Sequence, residues 1–281
     1  MGASDPTMIQ SKLFTLISEK EIHTESRGPR FIAIEHNKKK VRAGVESARV
    51  SYESFKKALQ LTANFPGASL VTLPVSKENI IRSGVAFAGH TEMIGEIVKR
   101  KVTMCMYHPE LSVFLLTNHI PLKMVPEAVK KVDFISFSNA IRQFQLVFGS
   151  RGKGAMLGLN PHAGENGKIG NEESFLKRKM KRMPESFMLQ GPMPADSFFS
   201  KTNIKTYDWV IACYHDQGLI PFKSLFGFYG LNITLNSPFL RVSPDHGPAF
   251  SLLSEKKSVD KTGVLASIQF ALKWGKRWKM A

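Results

Sequence analysis

Apolar residues arrive along this chain in two rhythms. Short unbroken runs, ASLVTL (68–73), LSVFLLT (111–117), AMLGLN (155–160) and WVIACY (209–214), have the length and continuity of buried strands. Between them lie longer stretches whose apolar positions recur at helical spacing: SARVSYESFKKALQLTANF (47–65), PEAVKKVDFISFSNAIRQFQLVF (126–148) and GVLASIQFALKWGKRW (263–278). Pro126 suits the first turn of its helix, and Asp260 or Thr262 is placed to cap the last one. This alternation predicts an α/β fold with a largely parallel sheet flanked by helices. No internal repeat or low-complexity linker interrupts it.

Composition narrows the picture. A length of 281 residues suits one large α/β unit or two modest domains sharing a cleft. At 43% hydrophobic and 22% charged, the chain can bury a sizeable core. No apolar run approaches the roughly 20 residues that span a bilayer, so no membrane role is expected. The start, MGASDPTMIQSKLF, has no basic head followed by an apolar stretch, which argues against a secretory signal. Cys105 and Cys213 are the only cysteines and form no CxxC pair, so a disulfide scaffold is not expected and a reducing cytoplasm is. The net charge of +16 raises nucleic acid as a partner. The basic residues are scattered, however, through HNKKKVR (36–42), VKRK (99–102), LKRKMKR (177–183) and WGKRWK (274–279). No zinc-finger, helix-turn-helix or RNP pattern accompanies them, which leaves a solvated basic surface that attracts small anions.

Candidate chemistry collects at the strand ends. Of eight histidines, three share one setting: His119 follows LSVFLLTN, His162 follows AMLGLNP, and His215 follows WVIACY. In open α/β sheets the carboxyl edge is where ligands bind. Three imidazoles there suit a divalent ion such as zinc, cobalt or manganese, which would polarise a substrate oxygen. In CYHDQGLIPFK (213–223), Gly218 is expected to turn the backbone sharply after His215. The glycine-rich GLNPHAGENGKIGNEE (158–173) reads either as a phosphate loop, if a helix begins near Asn171, or as a plain surface loop. Ser76 and Lys77 follow another strand, and GHTE (89–92) puts His90 and Thr91 at a helix start, with Thr91 a candidate N-cap. Lys223 and Arg241 are candidate clamps for phosphate and carboxylate groups, and NITLNSPFLRVS (232–243), which carries Asn232, is too polar at its ends to be pure core. His23, His36 and His108 receive no role.

Taken together, SK (76–77), GHTE (89–92), TNHIPL (117–122), GLNPHAGE (158–165), GPMPADSFF (191–199), YHDQGLIPFK (214–223) and NITLNSPFLRVSPDHG (232–247) resemble the 4-hydroxythreonine-4-phosphate dehydrogenase family of pyridoxal phosphate synthesis. The match runs from about Val41 to the C-terminus. The resemblance implies two α/β/α domains around a cleft, as in isocitrate and isopropylmalate dehydrogenases. The approximate boundaries are 1–88 plus 248–281 for one domain and 89–247 for the other. It implies a homodimer with active sites at the interface. Metal ligands fall on His119, His162 and His215, one of them reaching across the dimer. Substrate contacts fall on His90, Thr91, Lys223, Asn232 and Arg241, and the catalytic group comprises His215, Lys223 and Asp216, with Asp216 orienting His215. The implied cofactors are a divalent metal (zinc, cobalt, magnesium or manganese) and NAD or NADP.

The implied reaction is oxidation of a secondary alcohol in a small phosphorylated hydroxy amino acid, followed by loss of carbon dioxide from the β-keto acid. A sister activity on a phosphorylated four-carbon sugar acid stays open, as does an inactive homologue. The family opens with a strand and a GDPxGIGPE-like loop, whereas here only SDPT (4–7) echoes it, so a shortened N-terminus and an exposed sheet edge are expected.

Overall fold

Each of the four anticipated strands forms, a little shorter than its apolar run. The computed structural model describes residues 15–16, 30–31, 44–65, 67–149, 152–247 and 260–278. SDPT, HNKKKVR, His23, His36 and much of both termini assigned to the first domain lie outside them. A two-strand parallel pair joins β1 (Thr15–Leu16) to β2 (Arg30–Phe31). Next come α1 (Val45–Asn64), β3 (Ser69–Val71), α2 (Lys77–Arg82), α3 (His90–Val98), β4 (Thr103–Tyr107) and β5 (Ser112–Leu115). They are followed by α4 (Val125–Lys130), α5 (Phe134–Phe148), β6 (Gly154–Leu157), α6 (Glu172–Met180), β7 (Leu189–Met193), α7 (Ala195–Phe198) and α8 (Lys201–Thr206). The last elements are β8 (Trp209–Ala212), α9 (His215–Phe226), β9 (Leu231–Leu235), β10 (Leu240–Pro244) and α10 (Thr262–Trp278).

Eight strands form one sheet in the order β3-β10-β9-β4-β5-β8-β6-β7. The expectation of a largely parallel sheet is corrected. Four neighbouring pairs are parallel and three, in the middle, are antiparallel. The cause is connection length: β4–β5 and β9–β10 are joined by loops too short for a crossover, so each pair must run antiparallel. The stretch 126–148 is two helices, not one. Pro126 sits in the first turn of α4, and Asp133 starts α5 afresh, its carboxylate accepting from the Ile135 and Ser136 amides at 3.1 and 3.2 Å. Asp260 accepts from the Thr262 amide at the start of α10 (2.8 Å).

The central strands are buried on both faces, and alternate side chains serve opposite layers. Trp209 and Ile211 of β8 join Phe114 of β5 in a cluster with α5 and α10, while Val210, Ala212, Val113 and Leu115 pack with Leu219 and Phe222 of α9. A third cluster joins α1, α2, α3 and β3 through Phe55, Leu59, Leu70, Ile80 and Ile94. No helix among the described residues is long and apolar enough to cross a membrane.

Gly218 does not turn the chain. It lies inside α9, which starts at His215, and a Cβ there would stand 2.7 Å from Val113 Cγ1 and 3.0 Å from Ala212 Cβ. The glycine lets the helix seat directly on β5 and β8. Gly218→Val is therefore expected to destabilise the protein by about 1–3 kcal/mol through overpacking, measured by urea unfolding. An unchanged midpoint would show that the helix can lift away without cost.

Candidate functional site

The parallel neighbours β5, β8 and β6 aim their carboxyl ends the same way, and the chain leaves them toward His119, His215 and His162. The His119 and His215 rings lie 5.3 Å apart between centroids, tilted by 45°. Two imidazoles sharing one tetrahedral zinc would have centroids about 5 Å apart, given Zn–N bonds of roughly 2.0–2.1 Å. His215 Nδ1 is 2.7 Å from Asp216 Oδ1. That contact makes Nδ1 the protonated nitrogen and leaves Nε2 open as a ligand. Burial, helped by Lys77, lowers the His119 pKa and keeps its ring neutral. The pair thus suits a metal ion.

The expected triad is not gathered within one chain. No group of three or more His, Cys, Asp or Glu side chains among the described residues could hold a metal. His162 is exposed, on a turn (161–167) whose residues 162–166 have φ between 43° and 75°. Such left-handed backbone is costly away from glycine and needs external support. Asn160 supplies it: its amide N–H donates to Glu173 at 2.8 Å, and its side chain donates to Glu172 at 2.8 Å and to Glu173 at 3.1 Å. A helix does begin after Asn171, but its first turn carries Glu172 and Glu173, so the phosphate-loop expectation finds the helix start already filled with negative charge.

A cleft of about 390 Å³ is lined by Lys77, His90, His119, Lys223, Asn232 and Arg241, together with Asp245. Arg241 is its electrostatic centre. It is only 3% exposed, and no carboxylate among the described residues is within ion-pair distance of it. Burial draws its pKa to about 10, so it remains charged at neutral pH. Neutral acceptors hold it: the Thr72 hydroxyl receives Nε at 3.1 Å and Nη2 at 2.7 Å, and Asn232 Oδ1 receives Nη1 at 3.4 Å. Nη2 also reaches His90 Nδ1 at 3.3 Å. Burial first, then Arg241 and Lys77, lower the His90 pKa to about 3, and the neutral ring packs on Phe55 with centroids 4.4 Å apart. At the other wall Lys223 Nζ lies 3.2 Å from Asp245 Oδ2, whose pKa burial raises.

The structure therefore brings His90, Asn232, Arg241, Lys223 and His119 to one cleft, with His215 and Asp216 beside His119. Thr91 is buried within the first turn of α3, and Gly89, not Thr91, occupies the N-cap position. Ser76 caps α2, accepting from the Asn79 amide at 3.3 Å. Lys77 donates to the Ala88 carbonyl at 2.8 Å, beside the GHTE segment. Thr72 and Gln217 carry no signal of their own in the sequence, and Asp245 stands out there only as part of DHG (245–247), with no role attached. Thr72 lies in the strand-end segment TLPVSK, but nothing local shows that a residue 169 positions away meets it.

Thr72→Val removes the acceptor for two donors of a buried guanidinium. It is expected to cost about 1–3 kcal/mol in urea unfolding, with Thr72→Ser close to wild type. His90 has a folded pKa of about 3 against 6.5 unfolded, so the unfolded chain takes up the proton first. Stability should fall as pH drops from about 6.5 toward 3, and His90→Gln should flatten that slope. An identical slope in the variant would assign it to other groups.

Comparison with known proteins bears on the family and the fold. The family model for the pyridoxal phosphate biosynthetic protein PdxA matches residues 5–271. The 4-hydroxythreonine-4-phosphate dehydrogenase of Sulfurimonas denitrificans is 35% identical over 239 residues, covering 83% of this chain and 75% of that protein. Its counterpart in a Sulfurihydrogenibium species is 38% identical over 232 residues, covering 81% and 71%. The crystal structure of 4-hydroxythreonine-4-phosphate dehydrogenase from Klebsiella pneumoniae superposes with a TM-score of 0.73 at 29% identity, covering 94% of this chain and 82% of that one. A match over this much of the chain, with a mixed α/β sheet in common, makes the chain a member of the PdxA family.

Proposed function

We propose that this chain is a metal- and NAD(P)-dependent dehydrogenase that oxidises and decarboxylates 4-hydroxythreonine 4-phosphate in pyridoxal phosphate synthesis, working as a cytoplasmic homodimer. The observation that carries this reading is Arg241, a buried cation facing a cleft with neutral partners only. Burial disfavours its charge, the Glu92 carboxylate offsets that only in part, and an anionic ligand relieves the remainder. The Thr72 hydroxyl takes the Nε–Nη2 edge, His90 the other Nη2 N–H and Asn232 one Nη1 N–H, so the remaining Nη1 N–H is the donor open to an incoming anion. Lys223 supplies a second cation across the cleft, which suits a substrate with two anionic groups. Fixing both groups orients the carbon between them.

His119 and His215 would hold the metal, with His162 of the partner subunit as third ligand. That division is supported by the exposure of His162 and its separation from the other two. An imidazole-rich set favours zinc, cobalt or manganese over magnesium. When bound, the ion supplies a Lewis acid at the substrate oxygens, and the nicotinamide supplies the hydride acceptor. Asp216 keeps His215 in the ligating tautomer, and neutral His90 adds no charge beside Arg241. Asp245, protonated more readily than an exposed aspartate, is placed to exchange a proton with the substrate or Lys223.

We also read the chain as two lobes about this cleft, in the manner of isocitrate dehydrogenase. The separate apolar cluster of α1–α3 supports the first lobe. Because Ile94 belongs to that cluster, the boundary fits better after α3 than at residue 88.

The test is NADH formation from NAD, divalent metal and 4-hydroxythreonine 4-phosphate. A metal-dependent rate supports the reading. A rate only with a phosphorylated four-carbon sugar acid would replace the substrate, and no rate from folded, metal-loaded dimer would reject the activity. His215→Ala should abolish metal binding and turnover while leaving the circular dichroism spectrum unchanged. Arg241→Lys keeps the charge but loses the fork, and should raise KM about 10–100-fold with a smaller change in kcat. An unaltered KM would remove Arg241 from the substrate site.

A further inference from the structure

We infer that Gln217 is a positioning residue that locks the His162 turn to the strand end carrying His215; its value to the site rests on the metal reading above. Gln217 Oε1 accepts from the Cys213 amide at 2.7 Å, and Nε2 donates to the Gly158 carbonyl at 2.7 Å. A backbone N–H can only donate and a carbonyl can only accept, so these partners fix which end of the side-chain amide is which. Cys213 lies just before His215, and Gly158 just before the His162 turn. The β6–β8 ladder pairs Gly154 with Trp209 through Met156 with Ile211. Gln217 spans the gap immediately beyond, where the two chains part toward their histidines.

The third strand end is tied to the same point. The Thr117 hydroxyl donates to the Cys213 carbonyl at 2.8 Å in a buried contact. Both backbone polar groups of Cys213 are thus used by side chains, one from α9 and one from the end of β5. The chains leading to His119, His162 and His215 meet at this one residue. Asn160 and Glu173 shape the left-handed turn internally, but they do not connect it to β8. Among the described residues only Gln217 makes that link through a strong side-chain bond; the Cys213 thiol contact to the Leu157 carbonyl, at 3.4 Å, is weak. Since His162 stands apart from the His119–His215 pair, Gln217 couples the imidazole that serves this chain's cleft to the one presented outward.

The test compares wild type with Gln217→Glu and Gln217→Met. The glutamate keeps the acceptor for Cys213 but sets a carboxylate against the Gly158 carbonyl; the methionine keeps the volume and removes both bonds. Hydrogen exchange in metal-free protein is read over residues 158–167 and 209–214, and Co²⁺ is titrated by its visible absorption. In both variants exchange over 158–167 should rise about tenfold. The Co²⁺ dissociation constant should rise about 10–100-fold, as for lost support of a ligand. Exchange over 209–214 should rise in Gln217→Met alone. At saturating metal kcat should recover, with KM within about twofold of wild type. Exchange over 158–167 within about twofold of wild type in Gln217→Glu overturns the link, even if the methionine variant fails to fold. Normal Co²⁺ affinity in both variants overturns its role in the site. Failure of wild type to bind Co²⁺, or retention of binding in His215→Ala, rejects the metal reading instead, and the exchange data still decide the link.

Discussion

The burial of β5, β8 and β6 on both faces is the constraint on which the rest of the architecture depends. Val113, Phe114, Val210, Ile211, Ala155 and Met156 are each 0% exposed. A strand of this kind has no face on which a polar group can work, because burying an unpaired polar group costs free energy. Chemistry must therefore sit where the strands stop. Parallel alignment sends all three ends to one side, and the close approach of α9 over Gly218 sets where His215 emerges.

The cleft beside those ends is built from residues far apart in sequence. Arg241 is anchored from β10 to Thr72 past the end of β3, strands that pair in parallel. His90 arrives on α3, and Lys77 approaches the same corner from α2. The guanidinium is surrounded by a hydroxyl, an amide oxygen and a neutral imidazole. That environment satisfies most of its donors without an ion pair among the described residues, and only the Glu92 carboxylate, acting at longer range, supports its charge against burial. The basic surface, at +16 overall, adds a long-range attraction for anions.

Much of this was legible in the chain. Strands with continuous apolar runs and helices with clear periodicity announced themselves, and the histidines stood out by a shared position after three such strands. β4 did not, because Thr103–Tyr107 mixes threonine, methionine and cysteine without a β-branched run. The break between α4 and α5 was hidden for another reason: Asp133 reads as one polar residue in an amphipathic pattern, and only its carboxylate meeting two amides marks a cap.

By itself the sequence determined the α/β class, the strand ends that carry His119, His162 and His215, and the choice of Lys223 and Arg241 as candidate clamps. These are encoded locally, in periodicity and in residue type. Tertiary structure alone decided that the sheet is mixed, that Gly218 is a seat for a helix and not a turn, and that His162 stands apart from the other two histidines. It also decided that Thr72 meets Arg241 and that Gln217 bridges Cys213 and Gly158. Each of these depends on which segments lie side by side, and that is set by burying both faces of one sheet, a condition no local stretch of the chain can express.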